Sequence, residues 1–310
     1  MTTVWTMGQS LAVMNAGIAM GWGLGRLLPA TAPNYLGRFL FWVGVPVGII
    51  AFLRHTELSP SLWIAPVVAW AAILAGGGLA WWILRWRRGP HPWSSRTQGS
   101  FLLASMVGNT GYIGFPVSLA LVGPHYFAWA VFYDMLGSTL GAYGLGVAMA
   151  SRMGGLNVQS SHQNLLYTLA KNPALWSFGL GISCRDLPLP AIVEASLRSF
   201  AWGVVSLSLL LVGMRLSQLS SLSSLKPAIL SVGIKMLLVP LLIGSILWCF
   251  GITGPTHRVL LLQMAMPPAF ATLVISEAYE LDQSFAVTAL VTGSLGLVIT
   301  LPVWLWLFSS

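Results

Sequence analysis

The sequence predicts an all-α integral membrane protein: ten transmembrane helices forming two inverted five-helix repeats, with helices four and nine broken and crossing at mid-membrane. Three observations carry this expectation. The 310 residues are 56% hydrophobic and only 7% charged, with a mean hydropathy of +0.80, whereas a soluble domain carries about 25% charged residues. Two apolar runs are interrupted in their middles, at Gly108-Asn109-Thr110-Gly111-Tyr112-Ile113-Gly114-Phe115-Pro116 and at Gln263-Met264-Ala265-Met266-Pro267-Pro268-Ala269. The interruptions occupy corresponding places in two halves, and similar stretches follow them: Tyr126-Phe127-Ala128-Trp129-Ala130-Val131 and Ser284-Phe285-Ala286-Val287-Thr288-Ala289. Five spans per half is an odd number, so the second half enters the bilayer with the opposite orientation.

The first span covers about residues 8–28. Ala30-Thr31-Ala32 after it looks like a signal-peptide cleavage site, but no Lys or Arg precedes the apolar stretch and its length suits a membrane span. Its small residues Gly21, Gly23 and Gly25 are read as a close-packing face. Spans two and three cover 36–53 and 60–85, the third ending in Arg85-Trp86-Arg87-Arg88. Span four, 98–122, holds the first break: proline removes a backbone donor and glycine costs roughly 1 kcal/mol against alanine, so a continuous helix is not expected there. Span five is 125–151. These five make the first repeat, 1–151, and a short polar linker, 152–170, leads to the second, 171–310. Its spans are 171–187 (ending in Leu187-Pro188-Leu189-Pro190), 192–216, 226–250, 257–280 with the second break, and 284–308.

Orientation follows from the basic residues. With both termini outside, Arg26, Arg38, Arg85, Arg87, Arg88, Arg96, Arg152, Lys171, Arg215 and Lys226 lie on the cytoplasmic side. Arg54, Arg185, Arg198 and Arg258 lie on the other. This is the positive-inside bias, and it accounts for the net charge of +8 without a nucleic-acid partner. Cys184 and Cys249 have no metal or redox spacing, and no histidine pair has ligand spacing, so neither a metal nor a cofactor is expected.

Unwound backbone at membrane depth is tolerated only where protein or a watery cavity satisfies it, so the breaks mark a binding site. Asn109 and Thr110 sit at the first break: Asn109 either donates its amide to a substrate carboxylate or satisfies loose carbonyls beside Gly111. Pro116 and Pro268 suit the first turns of the second half-helices, whose positive dipole ends favour an anion, and Pro267 and Gln263 complete the pocket candidates. Asp134 and Lys235 lie near mid-depth, where a charge costs about 3 kcal/mol or more and should not face lipid. Asp134 is read as a coupling group and Lys235 as an attractor for anions; alternatively the two neutralise one another or bond freed backbone. Glu277, Glu280 and Asp282 fall near the inner end of span nine and are read as solvated.

With these residues in view, the chain resembles the auxin efflux carrier family. Gly108-Asn109-Thr110-Gly111-Tyr112-Ile113-Gly114-Phe115-Pro116-Val117 looks like that family's motif in the fourth span, and Ala265-Met266-Pro267-Pro268-Ala269 like its motif in the ninth. Leu210-Leu211-Val212-Gly213-Met214 and Thr300-Leu301-Pro302 match as well. The resemblance implies a ten-helix inverted-repeat fold akin to the bile acid–sodium symporters, in which spans four and nine cross and organic anions move. It departs in one respect: the long hydrophilic loop of the plant auxin exporters, between spans five and six, is missing, which suggests a prokaryotic member in a plasma (inner) membrane. The expected function is that of a permease for small organic anions such as auxin-like acids or dicarboxylates, with ion-coupled symport and a channel as alternatives. An enzyme is not expected, because only Asp134 and Lys235 offer ionised groups at membrane depth. The implied partners are the anion, the bilayer and a second copy of the chain.

Overall fold

A computed structural model describes residues 2–54, 56, 58–86, 93–154, 171–217 and 225–308. Most of the predicted linker, together with Arg87 and Arg88, lies outside these described residues. Within them the chain is helical apart from turns, short extended segments and one isolated antiparallel bridge. The helices are α1 (Thr2–Leu27), α2 (Ala32–Leu53), α3 (Pro60–Trp86), α4 (Ser95–Met106), α5 (Phe115–Leu121), α6 (127–153), α7 (Pro173–Ser183), α8 (Ala191–Ser217), α9 (Leu225–Cys249), α10 (Gly254–Met264), α11 (Phe270–Ala278) and α12 (Gln283–Leu307). Five of them, α2, α3, α8, α9 and α12, are each long and apolar enough to cross a bilayer. The two predicted interruptions are the gaps α4/α5 and α10/α11.

Proline explains much of the local irregularity. Three widened, π-helical turns, Leu40–Gly44, Thr110–Gly114 and Ile234–Leu238, are each followed two residues on by a proline: Pro46, Pro116 and Pro240. A proline cannot donate to the carbonyl four residues back and its ring collides with it, so the preceding turn opens. Pro240 thereby leaves the Met236 carbonyl without its helical donor, and the Trp304 indole N–H from α12 takes it at 2.9 Å. In α6 the Asp134–Thr139 turn is also widened, and the Trp70 indole N–H of α3 donates to its Leu136 carbonyl at 3.1 Å.

The helices gather into two compact units. The first comprises Met1–Leu62, Gly111–Val131 and Asn172–Leu219. Here α1 and α8 run parallel in close contact: a Cβ at Gly21 or Gly213 would strike the other helix's backbone, and one at Gly25 would strike Met214 and Ser217. Gly23 faces open space, so only part of the predicted glycine face packs. At the other end of this unit Arg54 holds the turn after α7, donating to the Cys184 and Leu187 carbonyls at 2.6 and 2.7 Å and pairing with Glu194 at 3.2 Å. An aromatic chain, Trp202–Phe52–Phe127–Phe115, runs through the interior with ring centroids 5.2–5.4 Å apart.

The second unit comprises Trp63–Thr110, Phe132–Lys171 and Ser220–Ser310. Leu103, Val147, Ala150, Ile275 and Leu281 form one of its apolar clusters. The start of α4 is tied to the start of α12: Asp282 caps α12 through Phe285 N–H (2.9 Å) and accepts from Thr97 (2.8 Å), while Ser100 donates to the Asp282 carbonyl (2.9 Å). Glu280 pairs with Arg96 at 3.1 Å on the surface. In each unit one helix ends with an arginine folded back on the tryptophan one turn earlier, Arg26 over Trp22 and Arg85 over Trp81, the pairing of charge and aromatic typical of a membrane interface.

Candidate functional site: a backbone crossing between two broken helices

Within the second unit the chain leaves helical geometry twice, after Met106 and after Met264, and the two extended segments meet. Gly108 lies opposite Pro268 in an antiparallel bridge. Asn109 N–H donates to the Pro267 carbonyl at 2.7 Å, and Ala269 N–H donates to the Val107 carbonyl at 3.0 Å. The sequence dictates this pairing. A residue that precedes proline is driven to extended backbone, which acts on Met266 and Pro267. Prolines 267 and 268 have no N–H, so along this segment the next donor is Ala269. Each break thus satisfies backbone groups that the other has freed, the requirement for unwound chain at membrane depth.

Lys235 supports the crossing from α9. Its buried ammonium donates to the Met264 carbonyl at 2.7 Å, at the C-terminal end of α10, where the helix dipole is negative. The side chain passes so close to Gly108 that a Cβ there would stand 2.9 Å from Lys235 Cε and 3.1 Å from Nζ. On another side, Gly293 of α12 leaves room for the prolines: a Cβ would lie 2.6 Å from Pro268 Cδ and 2.9 Å from Pro267 Cβ. Neither contact was visible in the sequence, although Pro240 four residues after Met236 is a signal for the open turn that holds Lys235.

Asp134 approaches from α6, buried, at the first position of its widened turn. The Thr110 hydroxyl donates to Asp134 Oδ1. Asp134 and Lys235 therefore engage different groups, a hydroxyl and a backbone carbonyl, and the mutual ion pair considered from the sequence is not formed between them. The crossing brings together Asn109, Thr110, Pro267 and Pro268, with Asp134 joined through Thr110 and Lys235 through Met264. Gln263 is fully buried in the last turn of α10 beside that carbonyl. Pro268 lies in the extended segment two residues ahead of α11 rather than in its first turn, because Ala269 is the residue that caps the helix. Pro116 does sit in the first turn of its helix, α5, but belongs to the first unit, where it lines an apolar cleft with Val45, Phe52, Phe115, Phe127 and Ser208. Glu277 is exposed in the last turn of α11, away from the break. Asp282, expected from the sequence to be solvated, is instead a helix cap.

The profile of a family described as membrane transport protein matches residues 13–305. An uncharacterized transporter of Methanothermobacter thermautotrophicus is 26% identical over 272 residues, 87% of each chain. An uncharacterized transporter of Methanocaldococcus jannaschii is 26% identical over 249 residues, 78% of each chain.

Proposed function

Because the chain belongs to the membrane transport protein family, the family of the auxin efflux carriers, we propose that it is a secondary transporter moving small organic anions by alternating access around the crossing at Asn109, Thr110, Pro267 and Pro268. The observation that carries this reading is the pairing of the two breaks through Asn109 N–H and Ala269 N–H, which sets the buried polar residues Asn109 and Thr110 at the crossing itself. The start of α11 supports it, since Ala269 offers no capping side chain and a helix N-terminus carries about half a positive charge that favours an anion. Solutes in view are auxin-like acids and dicarboxylates. Gln263, buried beside the Met264 carbonyl, belongs to the same proposed site.

The reading extends to architecture: ten membrane helices, with 1–151 and 171–310 as inverted repeats and both termini outside. Support comes from the composition of the units. The first takes spans one and two from one half and six and seven from the other, together with Gly111–Val131 of spans four and five, while the second takes the rest, so the first two spans of each half sort together. A prokaryotic inner membrane and a homodimer belong to the same proposal.

The test is flux in proteoliposomes, with a panel of organic acids first screened for thermal stabilisation of the purified protein. A carrier saturates and shows counterflow; flux without either marks a channel. Asn109→Ala is expected to weaken stabilisation by the acid about tenfold, the equivalent of one lost hydrogen bond to a charged group. Pro116→Ala and Pro268→Ala are expected to insert normally and to lower transport. Wild-type transport in all three removes the crossing from the route. A second reading, ion-coupled symport, is favoured by Asp134: its buried carboxyl reports to the break through Thr110 and has no ion pair with Lys235.

A further inference from the structure

The Met264 carbonyl at the end of α10 is open for a reason in the sequence. In a continuous helix it would accept from the N–H four residues on, but that residue is Pro268, which has none. The Lys235 ammonium takes the place of the missing donor at 2.7 Å. The same device recurs on α9, where Pro240 opens the Met236 carbonyl and the Trp304 indole fills it at 2.9 Å. The widened turn Ile234–Leu238, which presents Lys235, is thereby held from α12.

Charge separates the two cases. An indole is neutral, whereas Lys235 brings a positive charge into the interior of the second unit, where it is 2% exposed. Among the described residues its hydrogen bond is to Met264 and it has no carboxylate in salt-bridge range. The acids of this unit, Asp134, Glu277, Glu280 and Asp282, all lie within the described residues. Asp134 accepts from Thr110, Asp282 caps α12, Glu280 pairs with Arg96 and Glu277 is exposed. The ammonium therefore rests on backbone, at the negative end of α10. The Met266 carbonyl borders the same side of Gly108: a Cβ there would stand 3.1 Å from Lys235 Nζ and 3.3 Å from the Met266 oxygen. Unwound carbonyls and half-helix C-terminal ends are the groups with which broken-helix transporters hold a coupling cation.

We propose that this is a cation site filled by the chain itself: the Lys235 ammonium stands where a coupling metal ion would bind, and the crossing is held together without one. A hard metal cation needs a shell of about six oxygen ligands, and the space beside Gly108 is already taken by Lys235 Cε and Nζ. Truncating the lysine vacates a site whose chemistry matches a small primary ammonium ion. The consequence for transport, that solute movement needs no sodium at this position, rests on the crossing being the solute route. The unfolding test below does not, so the two readings fail separately.

The test is thermal unfolding of the full chain in neutral detergent. The wild-type midpoint is expected to be the same in sodium, potassium and choline chloride at equal ionic strength, and indifferent to n-propylammonium. Lys235→Ala is expected to lower the midpoint, and n-propylammonium, which replaces the atoms removed, to raise it again saturably. Tetramethylammonium has no N–H and is expected to bind this variant about tenfold more weakly, the equivalent of one hydrogen bond from a charged donor. Lys235→Met keeps the length without the charge and is expected to stay destabilised. Should Lys235→Ala fail to fold, the wild type and Lys235→Met decide. A sodium-specific rise in the wild type, a wild-type midpoint in Lys235→Met, or rescue of Lys235→Ala by neither ammonium ion or by both equally would overturn the proposal.

Discussion

Lys235 places a buried ammonium against a backbone carbonyl and a glycine, with no carboxylate in its salt-bridge range among the described residues. Such a charge is tolerated at membrane depth because Met264 ends a helix, where carbonyls lack donors and the dipole is negative. The arrangement needs Gly108 to have no side chain. Gly108→Ala is therefore expected to destabilise the protein by about 1–3 kcal/mol through overpacking, read as a lowered unfolding midpoint; an unchanged midpoint would mean that Lys235 is free to move aside. Asp134 is the opposite case, since it accepts from the Thr110 hydroxyl at the break. If it carries the coupling proton, Asp134→Asn keeps solute binding and exchange but loses accumulation driven by a pH gradient. If the membrane potential alone drives the anion, at about 2.3 kcal/mol per charge per 100 mV, the variant accumulates as the wild type does. Proteoliposomes with the two gradients imposed separately distinguish these outcomes. Because Asp134 and Lys235 hold different partners, neutralising Lys235 is not expected to rescue a folding defect in Asp134→Asn. Depth along a helix put both charges on view in the sequence; their partners depend on the direction each side chain faces, which spacing alone does not give.

At the scale of elements, the irregular turns have sequence causes and tertiary remedies. Pro240 removes the helical donor to Met236, and α12 replaces it with the Trp304 indole. Trp304→Phe keeps most of the ring but leaves that buried carbonyl unpaired, so a loss of about 1–3 kcal/mol is expected in thermal unfolding. Trp306→Phe is the control: Trp306 is 77% exposed, and a change of at most about 0.5 kcal/mol is expected. Similar losses for both would assign the effect to the membrane-facing surface of α12. The prolines were legible as breakers in both interrupted spans. Which carbonyl they leave open was countable as four residues back, but the identity of the donor was not, because Trp304 is 68 residues away from Met236 in sequence.

For the whole molecule, the distribution of basic residues makes a topological claim that labelling can check. In a variant lacking Cys184 and Cys249, single cysteines beside Trp5 and Ser309 should both react with an impermeant reagent applied from outside, and one beside Arg88 should not. Termini labelled from opposite sides would mean an odd number of spans and end the inverted-repeat reading.

Composition and the long continuous apolar runs together determined that the chain is a helical membrane protein, because about 20 apolar residues in a row cross a bilayer as a helix, whereas the strands of a barrel alternate apolar and polar residues. The two breaks were also legible, since Gly and Pro act locally. What only the tertiary structure decided is how the breaks are used. It pairs Asn109 with Pro267 and Ala269 with Val107, separates Asp134 from Lys235 by giving each its own partner, and assigns Pro116 to a different compact unit from Pro268. Local chemistry states where a helix must stop; which freed hydrogen-bonding groups then meet is set by long-range packing.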